Sequence, residues 1–294
     1  MASWRVRRYR GTLGETKGIL AVERATFREC PYRARELQTR LRLPQQQVLV
    51  AEAEGHIVGF VAGLHTNGLT GPRLEADLLA VEPGWQGQGI ASALLTALRR
   101  RPGGAAMLRG VVRPDNVASE RAFARAGFQP SAVTFDLFIY RIAGLVPRAL
   151  PTWGGQVGPL ASADEAAQVA SLAPGELPAE DQLWAASQAP GVTVFVARAG
   201  GTVVGMVELV EVRTLLYSGL WAESVLVRPG YQRAAAALAA AAVEEAKARR
   251  LDEVGCLVPS EERGLREVLM GEGFRKLDCY RIWTAPPLAE DGEP

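Results

Sequence analysis

The stretch LEADLLAVEPGWQGQGIASALLTALRRR, residues 74–101, decides the fold of this chain. Its first eight residues are typical of a strand, which the Pro83-Gly84 pair ends. From residue 90 onward apolar side chains recur at helical spacing and three arginines follow, which predicts a helix with cations at its C-terminal end. Between them lies Gln86-Gly87-Gln88-Gly89. Glycines there let the backbone approach a ligand, and the free N–H groups of a helix start attract phosphate.

Two common phosphate-binding motifs do not account for this turn. No Gly-Lys-Ser/Thr follows it, so it is not a Walker loop. The third glycine and the downstream acidic residue of a dinucleotide-binding fingerprint are also missing. By itself the turn therefore indicates either a phosphate site or a structural connection.

The chain contains an internal repeat. VLVAEAEGHIVGFVAGL at 48–64 resembles VFVARAGGTVVGMVELV at 194–210, an offset of 146 residues. The same offset relates VEPGWQ at 81–86 to VRPGYQ at 227–232, and Gly127-Phe128 to Gly273-Phe274. Three separated matches in one register indicate a duplication. We predict two domains, residues 1–145 and 146–294, joined within residues 143–158.

Each copy shows the same order of elements. In the first copy, residues 48–53 and 57–64 flank Glu54-Gly55 as a β-hairpin would. Further strands are predicted at 107–112 and 133–141, and helices at 15–27, 33–43 and 116–126. This alternation predicts an α/β (α+β) fold in which each domain has a mixed, mostly antiparallel sheet flanked by helices.

Composition narrows the functional class. With 294 residues, 48% hydrophobic and 22% charged, the chain matches ordinary two-domain globular proteins. It shows neither a signal peptide nor a membrane span, so we predict a cytoplasmic protein without a membrane partner. Its three cysteines occur singly, which predicts reduced thiols and no metal site.

Charge is distributed unevenly along the chain. The first 146 residues carry 20 basic and 12 acidic side chains, a net charge of +8, and the remainder carries −7. This asymmetry is compatible with an anionic ligand on the first half and equally with ordinary solvated arginines. No long run of one sign is present, so we predict no nucleic-acid partner.

Two motifs together resemble the GCN5-related N-acetyltransferase (GNAT) superfamily. The first is Q-x-x-G-x-A at Gln86, Gly89 and Ala91, after a strand that ends in Leu-Ala-Val. The second is N-x-x-x-x-x-x-F-x-x-x-G-F from Asn116 to Phe128. The resemblance covers most of residues 5–141. It implies a sheet that is splayed by a bulge at the cofactor strand, and acetyl-coenzyme A as co-substrate.

The resemblance also implies which residues contact that cofactor. In the family the glycine-rich turn binds the pyrophosphate, and the preceding strand pairs with the pantetheine arm. Asn116 would contact the thiol end. Carried over by motif position, the cofactor-binding residues are Leu79, Ala80, Val81, Gln86, Gly87, Gln88, Gly89, Ile90, Ala91 and Asn116.

Acetyl transfer to an amine needs a base, because an ammonium group has no lone pair. Glu75 and Asp77 lie two residues apart on the predicted strand and therefore on one face. Glu75 is eleven residues before Gln86, the spacing of the catalytic glutamate in histone acetyltransferases of the superfamily. We predict Glu75 as the base and Asp77 as its substitute or as an ammonium anchor, although acids on a half-exposed strand also occur without any such role.

The chain departs from the family pattern at two places. Many members have a tyrosine seven residues after the asparagine, where this chain has Phe123, so water would have to protonate the leaving thiolate. In the second copy the glycines of the turn become Arg233 and Ala235, and Glu75 becomes Trp221. Residues 146–294 are therefore predicted to be a degenerate copy without cofactor.

The sequence predicts an acetyl-CoA-dependent N-acetyltransferase acting on a small-molecule or peptide amine, as a monomer or homodimer. The alternative is a non-catalytic acyl-CoA-binding or interaction protein with the same fold. The identity of the acceptor does not follow from these residues.

Overall fold

The structure is a computed structural model that describes residues 3–27, 32–142 and 153–289. The chain divides into two compact units. Unit 1 contains Met1–His65, Pro72–Ala132 and Arg281–Pro294, and unit 2 contains Thr66–Gly71 and Val133–Tyr280. None of the helices in the described ranges has the length and apolarity that crossing a bilayer requires.

The elements of the first repeat follow the order predicted from the sequence. They are β1 (Trp4–Arg8), α1 (Leu13–Thr26), α2 (Ala34–Leu41), β2 (Gln46–Ala53), β3 (His56–Gly68), β4 (Gly71–Val81), a 3-10 turn (Pro83–Trp85), α3 (Ile90–Arg99), β5 (Met107–Val112), α4 (Val117–Arg125), β6 (Gln129–Pro130) and β7 (Phe135–Arg141). The predicted hairpin and the predicted helices are confirmed, with ends that differ by a few residues.

The second repeat has the same order of helices and strands. Its elements are β8 (Gln156–Pro159), α5 (Ala163–Ala170), α6 (Glu180–Ser187), β9 (Val192–Ala199), β10 (Thr202–Arg213), β11 (Ser218–Val227), α7 (Gln232–Ala248), β12 (Glu253–Pro259), α8 (Arg263–Gly271) and β13 (Arg275–Ala285). The predicted fold class is therefore confirmed as two tandem copies of a mixed, mostly antiparallel sheet with flanking helices.

The sheet of unit 1 runs in the order β1, β2, β3, β4, β5 and the last part of β13. β4 and β5 are parallel, whereas β1 with β2, β2 with β3, and β5 with β13 are antiparallel. Helix α3 packs on one face of this sheet because its apolar residues share one stripe. The fully buried members of that stripe are Ile90, Leu94, Leu95 and Leu98.

The sheet of unit 2 repeats this plan. Its order is β8, β9, β10, β11, β12 and β7, and the first part of β13 lies next to β7. β11 and β12 are its parallel pair. β12 and β7 are antiparallel. Helix α7 covers one face with buried alanines and Leu238, in one core with Phe138 and Tyr140 of β7.

Each unit thus takes a strand from the other repeat. The apolar residues of β7, from the first repeat, are buried in unit 2, and Trp283 and Ala285, from the second repeat, are buried in unit 1. The compact units therefore do not coincide with residues 1–145 and 146–294. Those boundaries stay a prediction about the duplication in the sequence, and residues 143–152 of the predicted join lie outside the described ranges.

A buried charge cluster holds β7 in unit 2. Asp136 is 1% exposed, with its carboxylate oxygens 3.0 Å from Nε of Arg266 and 2.9 Å from Nζ of Lys276. The hydroxyl of Ser260 donates to the same carboxylate at 3.1 Å. Asp136 belongs to the first repeat and its three partners to the second, so this cluster specifies where the exchanged strand lies.

Replacing Asp136 by Asn should destabilise the protein. The change would leave two cations without their buried anion, and removing one partner of a buried pair costs about 3 kcal/mol or more. Urea denaturation followed by circular dichroism measures the free energy of unfolding, with Glu261→Gln as the control at an exposed site. An unchanged unfolding midpoint for Asp136→Asn would show that β7 is held by its apolar contacts alone.

Candidate functional site

The glycine-rich turn connects the end of β4 to the start of α3. After Val81 the chain forms the 3-10 turn, and Gly87 and Gly89 then adopt φ angles of +78° and +82°. Residues other than glycine rarely adopt this left-handed backbone conformation, which explains why glycine occupies both positions. Gln86 fixes the turn because its side-chain amide donates to the carbonyl of Val81 at 3.0 Å.

The turn leaves open space in front of the helix start. A Cβ atom placed on Gly87 or Gly89 would have no atom within 4 Å. Gly89 is the N-cap of α3, and the first intrahelical hydrogen bond runs from the amide of Ala93 to its carbonyl at 3.0 Å. The amides of residues 90–92 precede that bond and point away from the helix. Unbonded amides at a helix N-terminus favour an anion.

β4 and β5 separate part of the way along their length. The parallel pairing joins residues 73–75 to residues 107–109, although β4 continues to Val81 and β5 to Val112. Leu74 and Ala76 face the α3 core, and so do Leu79 and Val81. Because side chains alternate along a strand, this change from even to odd positions requires one extra residue, a bulge, near residues 77–78. The expected splay and bulge are therefore present.

The backbone of β4 beyond the bulge faces the gap between the strands. The amide of Glu82 donates to the carbonyl of Val58 on β3 at 2.9 Å, so the polar groups of the preceding residue, Val81, point to the opposite edge. Leu79 has the same orientation two residues earlier. The side chain of Ala80 is 3% exposed and lines no open surface. The backbone of Leu79 and the amide of Val81 therefore face the gap, where an extended ligand could pair with them, whereas the carbonyl of Val81 already accepts from the side chain of Gln86.

Glu75 lies in a buried cluster with two arginines. Its Oε2 accepts a hydrogen bond from Nε of Arg109 at 2.9 Å, and its Oε1 is 3.5 Å from Nε of Arg73. All three side chains are less than a sixth exposed. Glu75 pairs with Arg109 in register, so both side chains lie on the sheet face opposite α3. A substrate ammonium would have to compete with these guanidinium groups for the carboxylate.

The remaining predicted residues differ in their surroundings. Asp77 is exposed at the bulge, on the solvent side of β4. Asn116 is the N-cap of α4, where its Oδ1 accepts from the amide of Ser119 at 3.1 Å. This capping role gives the asparagine a structural reason to be present, whether or not it also contacts a ligand.

Phe123 lies in the core of unit 1. It is 3% exposed, and its ring contacts those of Phe128 and Trp283, with centroids at 4.9 Å and 6.1 Å. A Cβ on Gly110 would overlap the Phe123 ring, so this glycine makes room for it. The position at which the family resemblance implies a tyrosine hydroxyl is therefore filled by an apolar side chain.

The second copy replaces the turn by helix. At the 146-residue offset the glycines 87 and 89 correspond to Arg233 and Ala235, and α7 already begins at Gln232. Ala235 is 5% exposed and packs in the unit 2 core. An extra helical turn therefore occupies the segment whose amides are free in the first copy.

Sequence reasoning did not identify Thr26, Arg73 or Arg109 as site residues. Arg73 lies two residues before Glu75 on β4, and Arg109 lies opposite Glu75 on β5. Their closeness to Glu75 becomes visible only when β4 and β5 are placed in register. Thr26, at the end of α1, has its hydroxyl 2.8 Å from the carbonyl of Val22 and 3.4 Å from the carbonyl of Val81, so it lies against the end of β4. That contact joins residues 55 positions apart, which no local pattern shows.

The described residues contain no cluster of side chains suited to bind a metal ion. In residues 3–27, 32–142 and 153–289 no three His, Cys, Asp or Glu side chains could hold one ion. Of the cysteines, Cys256 is buried in unit 2, and burial raises the pKa of its thiol to about 12. Cys30 lies outside the described residues.

Comparisons with known proteins identify relatives in sequence and in fold. An acetyltransferase of Pectobacterium atrosepticum is 36% identical over 85 residues, which are 28% of this chain and 57% of that protein. An acetyltransferase of Yersinia pseudotuberculosis matches with the same figures. The chain thus spans a little over half the length of these curated relatives.

Solved structures share the fold at low sequence identity. A tandem GNAT protein from the clavulanic acid biosynthesis pathway superposes with a TM-score of 0.55 at 17% identity, covering 98% of this chain and all of that one. A GCN5-related N-acetyltransferase from Sphaerobacter thermophilus has a TM-score of 0.60 at 16% identity, covering 97% of both chains. At these identities the likeness shows the fold alone.

A family model described as "Acetyltransferase (GNAT) family" matches the chain twice, at residues 16–128 and 163–265. The two matches fall on the two copies of the repeat, the first across the glycine-rich turn and the second across the helix that replaces it. Together they cover well over half of the chain. The chain belongs to the acetyltransferase (GNAT) family and contains two tandem copies of its fold.

Proposed function

We propose that this protein is an acetyl-CoA-dependent N-acetyltransferase that transfers an acetyl group directly to a primary amine of a small-molecule or peptide acceptor. One observation carries the proposal. In the first copy, left-handed Gly87 and Gly89 keep the amides before α3 open to solvent at the same end of β4 where that strand has separated from β5.

These features fit the parts of the cofactor. The amides of residues 87–91 would hold the pyrophosphate, because a helix N-terminus with free N–H groups attracts negative charge. The backbone of Leu79 and Val81 would pair with the amides of the pantetheine arm as a neighbouring strand does. Bound acetyl-CoA would supply a thioester whose acetyl carbon is open to attack. Asn116 stays a predicted contact at the thiol end.

The acceptor amine must lose a proton before its lone pair can react. A carbon–nitrogen bond then forms, the carbon–sulfur bond breaks, one proton leaves the nitrogen and one reaches the sulfur. Glu75 is the predicted acceptor of the proton that the ammonium group loses, directly or through water, and Asp77 is its substitute or an anchor for the ammonium. The side chain of Phe123 has no proton to donate, so water would supply the proton that the leaving sulfur receives.

Direct transfer is favoured over a covalent acetyl-enzyme. The thiol of Cys256 is buried in unit 2 and stays protonated at neutral pH because burial raises its pKa to about 12. A thiol rather than a thiolate is a poor nucleophile. Cys256 is therefore unsuited to carry an acetyl group, and we propose that the amine itself attacks the acetyl carbon.

A second candidate function is a non-catalytic acyl-CoA-binding protein. It is favoured by Phe123, which places an apolar ring where many relatives have a hydroxyl, and by the two arginines that engage Glu75. Both candidates require acetyl-CoA binding, and only the enzyme requires turnover. The predictions of no nucleic-acid or membrane partner, of a monomer or homodimer, and of a cytoplasmic location stay predictions.

Replacing Gly89 by Arg should abolish acetyl-CoA binding and turnover. The new side chain would project into the open space before α3, and the backbone there has a φ of +82° that side chains disfavour. Binding is measured by calorimetric titration, and turnover by thiol release with a panel of amines. Gly230→Arg is the matched control, since Gly230 also has a positive φ, of +89°, and open surroundings, in the equivalent loop of the second copy. Binding that survives in Gly89→Arg would make the turn purely structural.

Replacing Glu75 by Gln should lower turnover while acetyl-CoA affinity stays the same. A general base contributes about 10² to 10⁴ in rate, whereas the phosphates bind at the far end of β4. Steady-state kinetics and calorimetry test the two halves of this prediction, and a melting curve reports the loss of the ion pair with Arg109. A variant that melts earlier but keeps its kcat would assign Glu75 a structural role only.

Calorimetric titration should give one acetyl-CoA per chain. Helix α7 begins at Gln232, so the amides equivalent to those of residues 90–92 lie inside the helix, and Arg233 and Ala235 add side chains at the positions of the two glycines. A cavity of about 470 Å³ lies next to Tyr231 and Arg233, and a second molecule could bind there because Arg233 could pair with a phosphate. A saturable site that remains in Gly89→Arg would contradict the prediction that the second copy is free of cofactor.

A further inference from the structure

Two neighbouring cavities lie along helix α7 in unit 2. The first has a volume of about 470 Å³ and is lined at the start of the helix by Tyr231, Gln232 and Arg233. The second has a volume of about 610 Å³ and lies farther along the helix. The indole of Trp153 lines both. Sites that bind small molecules have volumes of about 300 to 1,000 Å³, so each cavity is large enough to hold part of a ligand.

The second cavity is an apolar trench, because α7 presents small side chains there. From the sheet it is lined by Val157 of β8 and Phe195 of β9. From the helix it is lined by alanines that recur at helical spacing, namely Ala237, Ala240, Ala241 and Ala248. Alanine has no atom beyond Cβ, so the space between the helix and the two strands stays unfilled. The trench could therefore take a chain of methylene groups.

Trp153 continues the apolar surface from one cavity to the other. Its ring packs against the core of unit 2. A Cβ on Gly155 would overlap this ring, so the glycine makes room for the indole to lie against the chain. A ligand in the trench would thus remain in contact with an apolar ring as far as the start of α7.

The start of α7 supplies a positive charge at one end of the trench. Arg233 is the charged side chain among the described residues that line the first cavity, and none of the described carboxylates forms an ion pair with it. Arg233 lies one helical turn before Ala237. From Arg233 to Ala241 the helix rises by about 12 Å, which is the length available to an extended ligand.

The other end of the trench is neutralised by local ion pairs. Glu244 and Glu245 line it there. The carboxylate of Glu244 is 2.7 Å from Nζ of Lys247, and that of Glu245 is 2.6 Å from the guanidinium of Arg249. The charge that remains without a partner along the trench is therefore the positive charge of Arg233, which favours a ligand with a negative charge at one end.

The trench differs in position from the counterpart of the proposed cofactor site. In unit 2 the strands follow the order β8, β9, β10, β11 and β12, and the parallel strands β11 and β12 correspond to β4 and β5. The trench lies over β8 and β9, at the edge of the sheet, and β10 separates it from β11. It is therefore not the second copy of the gap between β4 and β5.

We propose that this trench binds a medium-chain carboxylate, with the acyl chain along the alanines of α7 and the carboxylate on Arg233. A guanidinium and a carboxylate can form two parallel hydrogen bonds. Burial of the methylene groups would supply most of the affinity. The inference goes beyond the proposed function, and it leaves the prediction of one acetyl-CoA per chain unchanged because an acetyl group has no chain to fill the trench.

Calorimetric titration of the full chain with decanoate, below the concentration at which micelles form, tests the proposal. One saturable site is expected, and each methylene removed on going to octanoate and hexanoate should weaken binding about fourfold. Decylamine has a chain of the same length and the opposite charge, and should bind roughly 10-fold more weakly or less well still. Absence of decanoate binding, or equal binding of decylamine, would overturn the proposal.

Three variants test whether the ligand lies in the trench. Arg233→Gln should weaken decanoate binding roughly 10-fold, because a charge-assisted hydrogen bond is lost. Ala241→Leu fills the trench and should weaken binding by a similar factor or more. Ala236→Leu is the matched control, since Ala236 lies on the same helix among residues that line neither cavity.

Melting curves show whether Ala241→Leu is folded. Arg233 is exposed, so its replacement tests the proposal without disturbing the core. Wild-type affinity for decanoate in folded Ala241→Leu, or in Arg233→Gln, would place the ligand elsewhere and overturn the proposal.

A competition experiment separates this site from the proposed cofactor site. Decanoate is titrated again in the presence of excess CoA, and its affinity should not change. Displacement of decanoate by CoA would place the acyl chain in the gap between β4 and β5 and overturn the proposal. All of these readouts measure binding, so a failure to detect acetyl transfer would count against the proposed function and not against the trench.

Discussion

The separation of β4 from β5 is the constraint on which the rest of the first unit depends. The two strands pair as far as Glu75 and Arg109, whose side chains form a buried ion pair at the last shared register position. Beyond this point the bulge in β4 turns Leu79 and Val81 so that their side chains remain in the core while their backbone groups face the gap. Backbone groups that face this gap could pair with an extended ligand as with a neighbouring strand.

The duplication lets one copy serve as a control for the other. Both copies retain the strand order, the parallel pair and the capped first helix. They differ where chemistry would occur. The glycine turn is helix in the second copy, and the long first helix ends after 8 residues. The separation of the parallel strands is also shared, since β11 pairs with β12 only over residues 219–222 although it continues to Val227. The glycine turn and the longer first helix are therefore the features that distinguish the first copy.

Buried charge in this protein falls into two kinds. Asp136 is paired with cations from other elements, and removing any partner would leave an uncompensated charge. Glu23 has a buried oxygen without a partner in the described chain, and so its burial opposes folding.

The sequence by itself determined the local elements, the duplication and the turn. Gly87 and Gly89 could be recognised because only glycine adopts their φ angles easily, and the hairpin and helices because their periodicity is short-range. Tertiary structure alone decided the exchange of β7 and β13, the arginines around Glu75, the burial of Phe123 and the contact of Thr26 with Val81. Each of these depends on contacts between residues far apart in the chain, and periodicity within one element carries no information about which distant side chain completes its surroundings.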